Sequence, residues 1–165
     1  MNKKIDSKTK YVALIIYIIL VGVFYFFTLS DGAKSSKESR FVTDVLLWFL
    51  RLITLKKVQF DYEVLHHITR KLVGHFGYNL ILGVTGYFAV YGFKGLGKIA
   101  LIISLLLGLF IASTGELLQF IPANRGPSFV DIMINFSGEV VGIVTTFLIM
   151  FIIIKNRNKK IQNEN

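Results

Sequence analysis

Residues 99–121 read IALIISLLLGLFIASTGELLQFI, and this stretch decides the fold. Its only ionisable side chain is Glu116, and the rest is Leu, Ile, Ala, Phe, Gly, small hydroxyls and Gln119. A helix rises about 1.5 Å per residue, so a run of this length matches a bilayer hydrocarbon core of about 30 Å. Three further runs have the same character, at residues 11–28, 72–93 and 129–154. Two fall within the range of about 17–25 residues that a membrane crossing takes, and the run at 129–154 slightly exceeds it. Hydrophobic residues make up 53% of the 165. The mean hydropathy of +0.60 is more than a water-facing domain of this size can bury. The expected fold is therefore all-α: one polytopic membrane bundle of four transmembrane helices over residues 11–154. A basic N-terminus precedes it (1–10), and a basic tail expected to be disordered follows it (155–165).

The formal charge of +9 does not point to nucleic acid, because of where the charges lie. Lys3, Lys4, Lys8 and Lys10 precede the first run, and Lys155, Arg157, Lys159 and Lys160 follow the last. Lys94 and Lys98 sit in the short link between the second and third runs, which holds no acid. Short basic segments stay on the cytoplasmic side. All three fall on one side of a four-span arrangement, which puts both termini in the cytoplasm. Lys, Ile, Asn and Phe usage with such basic ends fits a bacterial plasma membrane. A cleaved signal peptide is the rival for the first run. That run exceeds a signal h-region of about 7–15 residues, and no clear A-x-A site follows it. With no cysteine, disulfides, thiol nucleophiles and thiolate metal sites are excluded, and the redox compartment stays open.

The first two runs are joined by a long outer loop. It opens with a polar, turn-rich stretch at residues 30–36. Residues 40–53 then read as an amphipathic helix, with Arg40, Asp44 and Arg51 on one stripe and Phe41, Val45, Trp48, Phe49 and Leu52 on the other side. Such a helix either lies in the membrane interface or closes over the bundle as a lid, and the sequence leaves both open. Lys56 and Lys57 follow. The neighbouring His66 and His67 point about 100° apart on a helix and are expected to be solvated or interfacial rather than a metal pair.

Polar side chains recur near the outer ends of three runs. His75, Tyr78 and Asn79 share a face at spacings of three and four, as do Ser113, Glu116 and Gln119. Asp131, Asn135, Gly138 and Gly142 form a third stripe, whose G-x-x-x-G end suits close helix packing. Ionisable groups in hydrocarbon are costly and face an interior or a wet cavity, so the three stripes are expected to converge on one outward pocket. Pro122, Gly126 and Pro127 shape a compact link that holds Arg125 near Glu116, Gln119 or Asp131. A guanidinium there would answer the carboxylates with paired hydrogen bonds.

The string Arg70, Lys71, Leu72, Val73, Gly74, His75, Phe76, Gly77, Tyr78, followed by Glu116, Gln119, Pro122, Arg125, Asp131, Asn135 and Gly138, resembles the VanZ-like membrane protein family. The resemblance covers residues 70–142. Some relatives carry Glu where Gly77 stands and His where Leu118 stands. The family is associated with bacterial resistance to teicoplanin and related glycopeptides, which makes that the activity the resemblance implies.

The residues give the site three readings. In a binding protein, Arg70, Lys71 and Arg125 meet the phosphate of a lipid head group or a lipid-linked cell-wall precursor. His75, Tyr78, Glu116, Gln119, Asp131 and Asn135 then shape the site. In an enzyme acting on a lipid-linked envelope substrate, His75 is the acid or base, tuned by Glu116 or Asp131. In a structural network, the same side chains only satisfy one another. No serine-nucleophile motif, H-E-x-x-H or other metal-ligand spacing appears, and no cofactor is called for. An ion pathway is disfavoured, because Glu139 is the only acid in the inner half of the bundle. Expected partners are membrane lipids and not nucleic acid, and the sequence leaves the oligomeric state open.

Overall fold

The computed structural model describes residues 7–54, 59, 61–95 and 97–163. Lys3 and Lys4 of the basic N-terminus, Lys56 and Lys57 of the loop and the last two residues of the tail lie outside the described residues. The regular structure of the described chain is all helical: α1 (Ser7–Thr28), α2 (Gly32–Ile53), α3 (Tyr62–Thr69), a π-helical segment (Arg70–Gly77), α4 (Tyr78–Lys94), α5 (Lys98–Leu118) and α6 (Phe129–Asn163). Three of these helices are long and apolar enough to cross a membrane, over Lys8–Thr28, Lys98–Leu118 and Phe129–Lys160. The second run of the sequence is divided, because its first part is wound as the π-helical segment. Backbone dihedrals stay helical at both joints, at Thr69 and Arg70 and again at Gly77 and Tyr78. α3, the π segment and α4 are therefore one rod whose winding changes twice.

Inter-helix contacts give the directions. Gly86 of α4 meets the Tyr17 ring and Gly92 meets Lys10, so α1 and α4 are antiparallel. Tyr25 of α1 bonds Thr114 of α5 at 2.6 Å and Gly115 packs on Phe24, so those two helices run side by side near their C-terminal ends. Gly138 faces Phe76 and Gly142 faces Leu80 and Val84, which makes α4 and α6 parallel. Glu139 of α6 reaches Gly108 of α5, and Asn135 reaches Glu116, so α5 and α6 are antiparallel.

The tightest crossing is between α4 and α6. A Cβ on Gly138 would strike the Phe76 carbonyl, one on Gly142 the Leu80 carbonyl, and one on Gly83 the Glu139 backbone. The G-x-x-x-G spacing thus brings two backbones of one chain together, where dispersion between close-packed atoms replaces a hydrophobic driving force. Two small cores flank the crossing. One is built on Tyr17, Phe24, Leu82, Ala89 and Ile111, the other on Tyr87, Tyr91, Ala100 and Ile143. Outside them, Ile15, Ile18 and Ile19 of α1, Leu106 and Phe110 of α5, and Leu148 and Ile152 of α6 are exposed. That surface suits lipid and would be a liability in water.

Three expectations are corrected. The outer amphipathic helix begins at Gly32 rather than Arg40. Asp31 caps it by accepting from the Ala33 N–H at 2.7 Å, so the polar stretch 30–36 becomes its first turns. The tail is not irregular within the described residues: α6 continues to Asn163. No Gly or Pro follows Gly142 to stop it, and its basic residues favour the C-terminal end of a helix dipole. His66 is not solvated. It is buried against α2, with Nε2 at 2.8 Å from Ser39 Oγ, while His67 is exposed.

Candidate functional site

Five pieces of chain meet at one end of the bundle: the C-terminal end of α1, the start of α2, the π segment, the C-terminal end of α5 and the link to α6. Between them lies a cavity of about 350 Å³. Phe24, Phe27, Val42, Val73 and Tyr78 give it apolar walls. Its polar lining comes from Thr28, Ser35, Glu38, Ser39, Thr69, Arg70, His75, Glu116, Gln119 and Arg125. The size and the mostly apolar lining with a few convergent polar groups suit a small-molecule or head-group site.

At its base is a hydrogen-bonded cluster centred on Glu116, which is 1% exposed. Glu116 Oε1 accepts from Gln119 Nε2 at 2.9 Å and from Asn135 Nδ2 at 3.2 Å. Glu116 Oε2 accepts from the Ser128 N–H at 3.3 Å. With its Nδ2 engaged in this way, Asn135 presents Oδ1 on the other side. That oxygen accepts from Asn79 Nδ2 at 3.0 Å and lies 3.0 Å from His75 Nδ1. The network therefore selects the tautomer in which His75 Nδ1 carries the proton. Nδ1 is also 3.6 Å from Glu116 Oε1. Asn79, fully buried, holds the π segment through the His75 carbonyl at 2.7 Å.

π turns widen a helix and are frequent at functional sites. Gly77 eases the wide turn, since a Cβ there would sit 3.2 Å from the Leu72 carbonyl oxygen. It also leaves Arg70 and His75 lining one cavity.

Arg125 departs from expectation. Among the described residues it bonds no carboxylate. Its Nη1 donates to the carbonyls of Phe27, Thr28 and Ser30 at 3.3, 3.1 and 3.2 Å, and its Nε is buried without a partner. The carbonyls at the C-terminal end of α1 have no intrahelical N–H to bond, so they compete successfully for the guanidinium. Glu116 is instead answered by amide donors. Burial and the nearby Arg70 lower the Arg125 pKa from its usual value. Arg70 forms no ion pair among the described residues, so two cations line the cavity without a carboxylate bound to either.

The remaining expected residues are placed as follows. Tyr78 lines the cavity, but its hydroxyl is engaged at 2.8 Å with the Leu20 carbonyl. Lys71 does not line it, and its Nζ lies 3.7 Å from Asp131 Oδ1. Asp131 is 18% exposed and its Oδ1 has no hydrogen-bond partner. His75, Glu116 and Asp131, assigned no metal by spacing, have ligand atoms within 4.8 Å of one another. Sequence distance hid this, since the three come from separate segments.

Two contributors escaped the sequence. The α2 residues Ser35, Glu38, Ser39 and Val42 form a wall of the cavity. Ser128 supplies both its N–H to Glu116 and its Oγ to the Asp131 N–H at 3.3 Å. The second was readable: Ser128 with Asp131 three residues on is an S-x-x-D helix start.

A model of the family described as VanZ/LLP1 matches residues 14–153 of this chain. No curated protein and no solved structure matches it.

Proposed function

This chain belongs to the VanZ/LLP1 family, and from that membership we propose that its polar cavity holds the anionic head group of a lipid or lipid-linked cell-wall precursor. Occupancy would lower susceptibility to teicoplanin-type glycopeptides by changing what the outer membrane surface presents. The observation that carries this reading is the pair Arg70 and Arg125. Both line the cavity, and neither is bonded to a carboxylate among the described residues. Guanidinium is the side chain best suited to phosphate, and basic pockets between membrane helices take lipid head groups. The apolar walls would take the start of the acyl or prenyl chain.

The topology proposed with it has four crossings in a bacterial plasma membrane and both termini cytoplasmic. The second crossing would be α4 with the π segment. Support comes from the alternation of direction, α1 against α4 and α5 against α6. The bundle end opposite the cavity also carries Lys10, Lys94, Lys98 and the basic end of α6. Lys10 Nζ lies 5.2 Å from the Phe93 ring. α2 would seat its exposed Phe41, Val45, Trp48, Phe49 and Leu52 in the outer interface while its other face walls the cavity.

A second reading, acid–base catalysis on a lipid-linked substrate, draws on the 3.6 Å approach of His75 Nδ1 to Glu116 Oε1. A purely structural network draws on the three donors around Glu116. Teicoplanin susceptibility of a sensitive Gram-positive host tests the resistance role and the structural reading. Wild type, Glu116→Gln and empty vector are compared at matched membrane levels. Raised resistance from wild type alone is expected. Equal susceptibility of wild type and vector would remove the resistance role. Glu116→Gln that never accumulates would return the cluster to a structural part.

A further inference from the structure

We propose that His75, Glu116 and Asp131, joined by the carboxamide oxygen of Asn135, bind one divalent cation of the manganese or zinc kind. Three helical segments supply the three ionisable groups, and their ligand atoms lie within 4.8 Å of one another. Ligands about 2.1 Å from a metal are separated by about 3.0 Å at an octahedral edge and about 3.4 Å at a tetrahedral one. His75 Nδ1 is 3.0 Å from Asn135 Oδ1, which is an octahedral edge, and 3.6 Å from Glu116 Oε1, slightly beyond a tetrahedral one, so only a small shift brings Nδ1 to that spacing from both oxygens.

Hydrogen bonding alone accounts for those three, and Asp131 is what it does not account for. Asp131 Oδ1 is buried within the cluster and accepts no hydrogen bond. Lys71 Nζ, at 3.7 Å, is too far to donate to it. A carboxylate oxygen shielded from water needs a cation or a donor; the Lys71 ammonium stands at ion-pair distance, and no donor reaches hydrogen-bond distance. Supporting contacts are present as well: Gln119 and the Ser128 N–H orient the Glu116 carboxylate. One nitrogen with carboxylate and amide oxygens, and no thiolate, favours manganese or zinc over softer ions. To free the Nδ1 lone pair for the metal, the imidazole proton moves to Nε2, and no net proton is released.

His75 and Glu116 also line the cavity, so one face of the ion would be open to it. That open face gives the anionic head group of the proposed function a third positive contact beside Arg70 and Arg125. To this extent the inference rests on that proposal, but cation binding itself does not.

The test uses the full chain purified in detergent and stripped with chelator. Mn²⁺, Zn²⁺ and Co²⁺ are titrated in turn by calorimetry, with Ca²⁺ for comparison. One equivalent per chain is expected for wild type. His75→Gln and Asp131→Asn are expected to lose saturable binding. Gln119→Ala, which only releases Glu116, is expected to weaken it about 10–100-fold. Asp44→Asn, on α2, is expected to bind as wild type. A measurement on wild type alone guards against variants that misfold: trace Mn²⁺ should broaden the ring resonances of His75 and spare His66 and His67. Absent wild-type binding, equal broadening of all three rings, or normal binding by Asp131→Asn would overturn the cation site. Arg70→Gln is expected to bind the ion and lose anionic lipid. Lipid binding without ion binding would sink the cation alone, and ion binding without lipid binding the lipid proposal alone.

Discussion

Arg125 shows how one side chain can close a loop and prepare a pocket. Its Nη1 secures the last carbonyls of α1, which ties the link between α5 and α6 to the entrance of α2. The rest of the guanidinium stays available beside Arg70. Glu116 is held separately by Gln119, Asn135 and Ser128. The sequence singled out these residues as ionisable or amide groups in hydrocarbon. It could not assign their partners, because an arginine six residues from Asp131 and nine from Glu116 meets whichever acceptor the fold brings nearest. Glu139 is the opposite case. It is 1% exposed, packed against Gly108, and its Oε1 has no partner. A buried carboxyl oxygen without a partner is a burden that an apolar residue of similar volume relieves. Glu139→Met is therefore expected to raise the thermal midpoint in detergent or leave it unchanged. A clear fall would mean that the carboxyl has a role in the bundle that its surroundings do not reveal.

Between helices, small residues set the geometry that puts the cluster together. Gly138 and Gly142 let α6 approach the π segment and α4 closely enough for Asn135 to bridge Asn79, His75 and Glu116. The stripe Asp131, Asn135, Gly138, Gly142 was legible as a polar end and a close-packing end. The π turn was not, since it depends on how Gly77 meets the Leu72 carbonyl. The depth at which α2 engages the pocket was equally hidden, because an amphipathic pattern names a face and not what covers it. Gly142→Leu should force the α4 and α6 backbones apart and cost about 1–3 kcal/mol or more. Gly22, with nothing within 4 Å of its Cβ position, should accept the same change with little effect. Denaturation midpoints of the two variants in one detergent check this. Equal midpoints would deny the crossing.

Over the whole molecule, charge and polarity divide the bundle into two ends, basic at one and cavity-bearing at the other. The apolar runs and the basic segments made the helices and their proposed orientation readable. The continuation of α6 to Asn163 was not, because polar composition alone does not stop a helix that lacks Gly and Pro. The absence of cysteine makes the topology directly measurable. Single cysteines at Ser36 and Asn124 should react with a membrane-impermeant maleimide on intact cells. Cysteines at Lys98 and Lys159 should react only after lysis. Labelling of both Ser36→Cys and Lys98→Cys from outside would rule out four crossings.

The cavity between α2 and the bundle is proposed to bind an anionic head group through Arg70 and Arg125. Arg70 is the cleaner probe, because Arg125→Gln would also release the end of α1. Native mass spectrometry of the detergent-solubilised chain, titrated with an anionic phospholipid, a prenyl pyrophosphate and phosphatidylcholine, measures the claim directly. Wild type should retain one anionic lipid that phosphatidylcholine does not displace. Arg70→Gln should lose about 1.5–3 kcal/mol of that affinity, the contribution of a hydrogen bond to a charged group. Equal retention of all three lipids by wild type, or undiminished anionic binding by Arg70→Gln, would contradict it.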